Sequence, residues 1–284
     1  MNTVKRTFFP SEEWIYFNIH SNRINHEMIV NSLFSWVQRL QEKVIVDRWF
    51  YLFFAEPSSS IRFRCHIIDK RNFSVICADF HENMLPYTCD NIIHEYSIGT
   101  YEREIERYGS DNIILVEDIF FRDSELSALF IRNFLSNSYN ENTKWVFSIN
   151  KVHKYIYRSL ERDSSRIEFV SKMNDYFLSE FGMNKYNSVE INKKYRRAKD
   201  FIDGGFPLKD SFSEAFDSTI APLLKKLLCS SKTPDSLLSD IVHMSIIRLH
   251  NNNRFYEMIF YNFLHRIYLS NISRYGFIKE SLSL

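Results

Sequence analysis

The chain has 284 residues, 45% hydrophobic and 16% aromatic, which is enough apolar material for a substantial core and excludes an intrinsically disordered protein. Lys and Arg number 36 against 35 Asp and Glu, a formal charge of +1, so no global field marks a binder of nucleic acid or anionic membrane and any electrostatic function has to be local. Residues 1–10 lack the apolar core of a signal peptide, and no stretch reaches the roughly 18 uninterrupted apolar residues of a spanning helix, so a soluble, cytoplasmic protein without a membrane partner is expected.

In chain order, WIYFNIH (Trp14–His20) is short, rich in β-formers and roughly alternating, which predicts a strand. A helix is expected over 25–41, where Met28, Ile29, Leu33, Val37 and Leu40 make one apolar face. Strands return with RWFYLFFAE (48–56), SIRFRCHII (60–68) and NFSVICADF (72–80), separated by turn-like PSSS and DKRN, and the pattern predicts an antiparallel meander. After NIIHEYSIG (91–99) the texture turns helical. TYEREIERYG predicts a two-turn helix with Thr100 as N-cap, Glu102 and Glu104 in the first turn and Gly109 as a left-handed C-cap, and Ser110 can cap a second helix through Ile113, Val116, Ile119 and Phe120. The remainder reads as helices punctuated by Pro207, Pro222 and Pro234. The fold class is α+β: a strand-rich N-terminal third forming a mainly antiparallel sheet, followed by a mostly helical C-terminal part. No repeat, Gly/Ser linker or charge block divides the chain, so one domain over 1–284 is expected.

Chemistry has to come from scattered residues. The four cysteines, Cys65, Cys77, Cys89 and Cys229, have no CxxC pairing and read as buried free thiols rather than zinc ligands. Arg62 and Arg64, two apart on a strand, point the same way while Ile61, Phe63 and Cys65 turn to the core. Such a pair is either a solvated outer face or a clamp for carboxylate or phosphate. Glu104 and Arg107, at i and i+3, can pair on one helical face beside Tyr101 and Tyr108. His243 lies in an apolar helical run with Asp240 one turn before it and Arg248 after it; it is either a core histidine or, facing a cavity, a general acid or base. No HExxH, GxGxxG, Walker or GxSxG pattern occurs. The residues alone therefore give an anion site with a possible histidine acid/base.

Three stretches in order are more specific. RWFYLFFAEPSSSIRFR (48–64) resembles WFFxRYxDPxxHxRxR, YEREIERYGSDNIILVEDIFFRDS (101–124) resembles YExExxRYGGxxxxxxxExxFxxDS, and IVHMSIIRLHNNNRFYE (241–257) resembles xxHMxxNRL…E. These mark the thiopeptide-type bacteriocin biosynthesis family, which includes the C-terminal glutamate-elimination domain of class I lanthipeptide dehydratases, and the resemblance runs from about Trp14 to Leu269. It implies a lyase that expels glutamate from glutamylated Ser or Thr of a precursor peptide, leaving dehydroalanine or dehydrobutyrine, with no metal or organic cofactor. The motif positions fall on Arg64, Glu104, Arg107 and His243 as catalytic residues, with Arg62, Tyr108 and Arg248 beside them as substrate contacts. The implied partners are the leader and core of the precursor peptide and a separate tRNA-dependent glutamylating dehydratase subunit, since the chain is short for a glutamylation domain. Neither a membrane nor direct nucleic-acid contact is implied, and a homodimer is compatible with the apolar helical half. The family's pyridine synthases, which join two dehydroalanines in a formal [4+2] cycloaddition and expel the leader, give a second reading, and a non-catalytic leader-binding subunit a third. The chain departs from the motifs at Phe54-Ala55 before Glu56-Pro57, at Ser60-Ile61-Arg62, at Ser110 and at Ile247-Arg248, which bears on the substrate pocket more than on the central four.

Overall fold

The elements run β1 (Thr7–Phe8), β2 (Trp14–Ser21), α1 (His26–Glu42), β3 (Val46–Phe54), β4 (Ser60–Ile67), α2 (Phe73–Cys89), β5 (Ile93–Gly99), β6 (Tyr101–Glu102), α3 (Ile105–Tyr108), α4 (Ile113–Ser136), α5 (Glu141–Ser159) and α6 (Asp163–Glu180), followed by helices Ser211–Ser230, Pro234–His250 and Arg254–Ser281. This is a computed structural model that describes residues 4–55, 58–137, 141–182, 189, 191–196, 211–231, 233–250 and 253–281. Glu56, Pro57 and Pro207 lie outside the described residues.

Alternation builds the sheet. β4 turns Ile61, Phe63, Cys65 and Ile67 inward, each at most 1% exposed, and leaves Arg62, Arg64 and His66 half-buried on the opposite face. β2 does the same with Ile15, Phe17 and Ile19. The sheet order is β3-β4-β2-β5, with every neighbouring pair antiparallel, and β1 pairs with β6 in a separate two-stranded ribbon.

The expected meander is corrected at NFSVICADF, which belongs to α2. Its composition suits a strand, but Ile76, Phe80 and Met84 recur every fourth residue and are buried together on one helical face. Phe80 stacks on Phe17 at 3.9 Å and meets Trp36 of α1 edge-on at 5.5 Å. TYEREIERYG is corrected as well. Tyr101 and Glu102 pair with β1, and the helix shrinks to Ile105–Tyr108, because burial of Tyr101 against Phe8 and of Arg103 against Glu117 holds the preceding residues extended. Gly109 follows with φ of 81°, a backbone that suits glycine. α4 begins after Asn112 rather than at Ser110. Pro222 lies inside helix Ser211–Ser230, and Pro234 opens the next. All four cysteines are free, but the expectation of buried thiols holds for Cys65 alone: Cys77 is half-buried, and Cys89 and Cys229 are exposed. Among the described residues no helix is long and apolar enough to cross a membrane.

Contacts divide the chain into two compact units, Met1–Tyr139 with Ala215–Asn252, and Asn140–Glu214 with Asn253–Leu284. In the first, α1 buries Ile29, Leu33, Trp36, Val37 and Leu40, and Trp36 packs against Phe63 of the sheet at 5.8 Å. α4 lies along β3, with Phe50 on Phe120 at 5.7 Å and Trp49 on Phe121 at 6.5 Å. Helix Pro234–His250 closes on the same strand, where the Tyr51 hydroxyl donates to the Arg248 carbonyl at 3.1 Å.

The second unit is helical. Trp145 of α5 packs on Tyr256 and Phe260 at 5.2 and 5.7 Å, Phe177 of α6 stacks on Tyr261 at 5.7 Å, and the Asn262 amide donates to Asn174 at 2.9 Å. His153 shares a 2.8 Å hydrogen bond with the Tyr268 hydroxyl. Burial, with Lys154, Arg166 and Arg158 adding to it, pushes the His153 pKa down to about 3. The unfolded chain takes up that proton near pH 6.5 and the folded chain does not, so the stability is complete above about 6.5 and falls as pH drops toward 3. Urea midpoints taken at stepped pH should therefore fall between pH 7 and 4, and His153→Phe should flatten that dependence.

Candidate active site

The face of the sheet opposite the core is ruled into cross-strand rows. One consists of Phe50 on β3, Arg64 on β4, Tyr16 on β2 and Gly99 on β5. A Cβ at Gly99 would stand 3.1 Å from Cδ1 of Tyr16, so glycine there lets the ring lie flat over β5. The Arg64 guanidinium sits among three rings, 4.6 Å from the centre of Tyr16, 5.0 Å from Tyr101 and 5.3 Å from Phe50. No carboxylate among the described residues bonds it, and its Nε and Nη1 are buried without a partner. Burial lowers its pKa, Tyr101 and Tyr16 act against that shift, and the nearby Arg62 adds to it. Arg64, half-buried, is thus met by aromatic rings and by no carboxylate among the described residues.

Arg64 opens into a cleft with about 310 Å³ of empty space, mouth included, walled by Phe50, Leu52, Tyr101, Glu102, Glu104, Tyr108, Ile113, Phe120 and Met244. Across it stand Glu104, which caps α3, and Tyr108 of α3, while Arg107 of the same helix lies outside the wall. Arg107 donates to Glu104 at 3.3 Å and to Asp240 at 2.6 Å. Burial is the largest influence and opposes its charge, but the bond to Asp240 together with the charges of Tyr108, Asp240 and Glu104 outweighs it and the pKa is raised. Tyr108 is 4% exposed, its hydroxyl has no partner, and burial pushes its phenol up. Asp240 also fixes helix Pro234–His250 against this wall. His243, half-buried, stands one turn beyond Asp240 and directly before Met244, which lines the cleft; the His243 ring itself is not part of the wall.

Two buried ion pairs frame these walls. Glu117, fully buried, accepts from Arg103 Nε at 2.7 Å, from Arg103 Nη2 at 2.6 Å and from the Tyr101 hydroxyl at 2.8 Å, while Arg103 Nη1 donates to the Lys5 carbonyl at 2.9 Å. Arg248, expected at the substrate, is instead completely buried. It donates to Asp123 at 3.0 Å, Ser124 at 3.0 Å and the Met244 carbonyl at 2.7 Å, and its guanidinium lies 4.8 Å from the Phe120 ring centre. Its physical role is to hold Phe120 and Met244, not to meet a ligand. Arg62 shares the Arg64 face, its guanidinium 3.3 Å from the centre of Phe54.

Of the residues singled out in the sequence, Arg64, Glu104, Tyr108 and Tyr101 line one cleft and Arg107 bonds to its Glu104, whereas Tyr16, Glu117 and the part of Asp240 were missed. Glu117 and Asp123 had a signal, since both are acids that fall on motif positions of the quoted stretch 101–124. Among the described residues no three His, Cys, Asp or Glu side chains are grouped to hold a metal ion.

The class defined by these features is an α+β domain with an anion-receptive cleft between a sheet face and two helices. The chain belongs to the lantibiotic biosynthesis dehydratase C-terminal family, whose model matches residues 14–268, as the three motifs implied. It is 24% identical over 273 residues to the nisin biosynthesis protein NisB of Lactococcus lactis subsp. lactis, a match covering 94% of this chain and 26% of NisB. The chain thus spans about a quarter of that relative's length. Its fold is that of the tRNA dependent lantibiotic dehydratase MibB from Microbispora sp. 107891, with a TM-score of 0.70 and 15% identity over 93% of this chain and 28% of MibB. It is also that of the pyridine synthase TbtD from thiomuracin biosynthesis, with a TM-score of 0.63 and 8% identity over 94% of this chain and all of TbtD, 100%.

The unpaired cation gives a prediction independent of any substrate. In Arg64→Met, thioether contacts with the rings stand in for the guanidinium contacts. Desolvated N–H groups costing about 1–3 kcal/mol are removed at the same time. Urea unfolding should show a gain of about 1 kcal/mol, whereas a loss of that size would place Arg64 in the structural frame.

Proposed function

We propose that this domain eliminates glutamate from glutamylated Ser or Thr of a ribosomally made precursor peptide, leaving dehydroalanine or dehydrobutyrine. The observation that carries the reading is Arg64, a cleft-lining residue whose guanidinium is held by aromatic rings and has two buried donors unmet. A cation so placed costs stability unless a carboxylate ligand arrives, and the glutamyl ester brings one. Family membership supports the reaction class.

In this reading the free carboxylate of the glutamyl group binds Arg64. His243, whose ring lies outside the cleft wall and has to turn toward it, moves the proton, as base at Cα or acid to the departing glutamate, and the negative charge that grows on the adjacent carbonyl oxygen is answered by Arg107. The Cβ–O bond then breaks, its electron pair leaving on the glutamate carboxylate as the Cα–Cβ double bond forms. Glu104 and Asp240 orient Arg107 from two sides, at 3.3 and 2.6 Å, so Arg107 is less available to a resting anion than Arg64 and serves the transient charge. Tyr108, kept neutral by burial, donates to the substrate. The ester is made beforehand by a separate tRNA-dependent glutamylating activity, so this domain meets peptide and not nucleic acid.

The test is to incubate the protein with a glutamylated precursor peptide and, separately, with a peptide bearing two dehydroalanines, following both by mass. Loss of glutamate from the first is expected. Ring formation with leader release from the second would instead make it a pyridine synthase, and no change in either would leave a leader-binding subunit. Arg64→Lys keeps the charge and loses the planar fork, so kcat/KM for elimination should fall by about 100-fold or more. Asp240→Asn, which loosens Arg107 without touching the substrate, should lower kcat by about tenfold with little change in KM.

A further inference from the structure

Two residues further along each strand, about 7 Å from the Arg64 row, the same face carries a second row: Leu52 on β3, Arg62 on β4, Asn18 on β2 and Ser97 on β5. Its polar members are fixed by contacts within the protein, and Arg62 and Asn18 each keep one buried atom without a partner. The Arg62 guanidinium is stacked on Phe54, and its Nε is buried with no partner. The Asn18 amide nitrogen donates to His20 Nε2 at 2.8 Å, so the imidazole proton is on Nδ1, which lies 2.9 Å from the Ser58 hydroxyl. That relay uses the donor side of Asn18 and leaves its Oδ1 buried with no partner.

The row therefore holds one unmet donor and one unmet acceptor on cross-strand neighbours that do not bond each other. A carboxylate or phosphate would satisfy Arg62 and leave Asn18 Oδ1 facing a like partial charge. A peptide unit carries one C=O and one N–H and answers both. The row is in this respect unlike that of Arg64, whose open groups are donors alone.

We infer that the Arg62–Asn18 row is a main-chain subsite for the extended precursor segment beside the reacting residue. Arg62 Nε donates to a backbone carbonyl, and Asn18 Oδ1 accepts a backbone N–H. This rests on the reading of the cleft as one that acts on a peptide. An extended chain advances about 3.3 Å per residue, so with the reacting side chain at Arg64 the residue recognised is the one two positions away. Asn18 and Arg62 are positioning residues in this scheme. They fix the register of the precursor through its backbone, and Ser97, exposed at the β5 end of the row, leaves room for varied side chains.

The probe is a fluorescein-labelled precursor segment whose central residue carries glutamate through an amide, which does not leave, read by anisotropy against the whole chain. A companion set carries one N-methylated amide at each position from two before to two after the centre. Asn18→Leu should weaken the parent segment about tenfold. One N-methyl peptide, modified two residues from the centre, should weaken wild type by a similar factor and lose nothing further in Asn18→Leu. Asn18→Ala repeats the cycle should the leucine disturb the fold. The inference is overturned if every N-methyl peptide affects wild type and variants alike, or if wild type does not bind the segment. Should elimination fail in the mass assay, the anisotropy series still reads the subsite, so the two failures are distinct.

Discussion

A single buried carboxylate organises the region around the cleft. Glu117 is out of contact with solvent and would be costly there without full compensation, and it receives that from three donors at once, two on Arg103 and one on Tyr101. Because Arg103 also grips the Lys5 carbonyl, the bond set ties the N-terminal ribbon to α4 and sets Tyr101 beside Arg64. The shape of the aromatic cage follows from that constraint. Trp14 completes the support, edge-on to both Tyr101 and Phe50 at 5.5 Å.

Three arginines around the cleft differ in how far their charge is met, and the difference sorts their roles. Arg248 is fully buried, with an ion pair and two further acceptors, and belongs to the frame. Arg107 is shared between two carboxylates and exposed, which leaves it oriented but reachable. Arg64 has rings in place of anions. Electrostatic compensation thus falls from the interior toward the cleft, and the guanidinium with least is the one a ligand carboxylate would bind most strongly. Proximity to a motif could not have ranked them, since all three are arginines in quoted stretches.

The sheet was legible because period-two alternation is a local property: strands at 14–20, 48–56 and 60–68 and the outward pair Arg62 and Arg64 all form within about two residues of expectation. α2 was not, because Phe73 to Phe80 is a mixed run of β-formers whose helical repeat emerges only when Met84 is counted with it. The extended Tyr101–Glu102 was hidden for another reason. Its conformation is decided by partners distant in sequence, Phe8 and Glu117, which override a good local helix pattern. In the cleft, residue types with conspicuous chemistry were found and their supports were not. Tyr16 looks like an ordinary strand aromatic, and the bond between Arg107 and Asp240 spans 133 residues.

That separation sets the order in which the cleft can exist during synthesis. The sheet face and α3 belong to the first 139 residues of their unit, whereas Asp240, Met244 and the Arg248 that braces them arrive with the segment Ala215–Asn252, after most of the helical unit has emerged. Until then Arg107 has Glu104 alone, and the nascent cleft lacks a wall. A fragment ending before residue 215 would carry the cationic floor without its far side, so the cleft is walled only once residues 215–252 have left the ribosome.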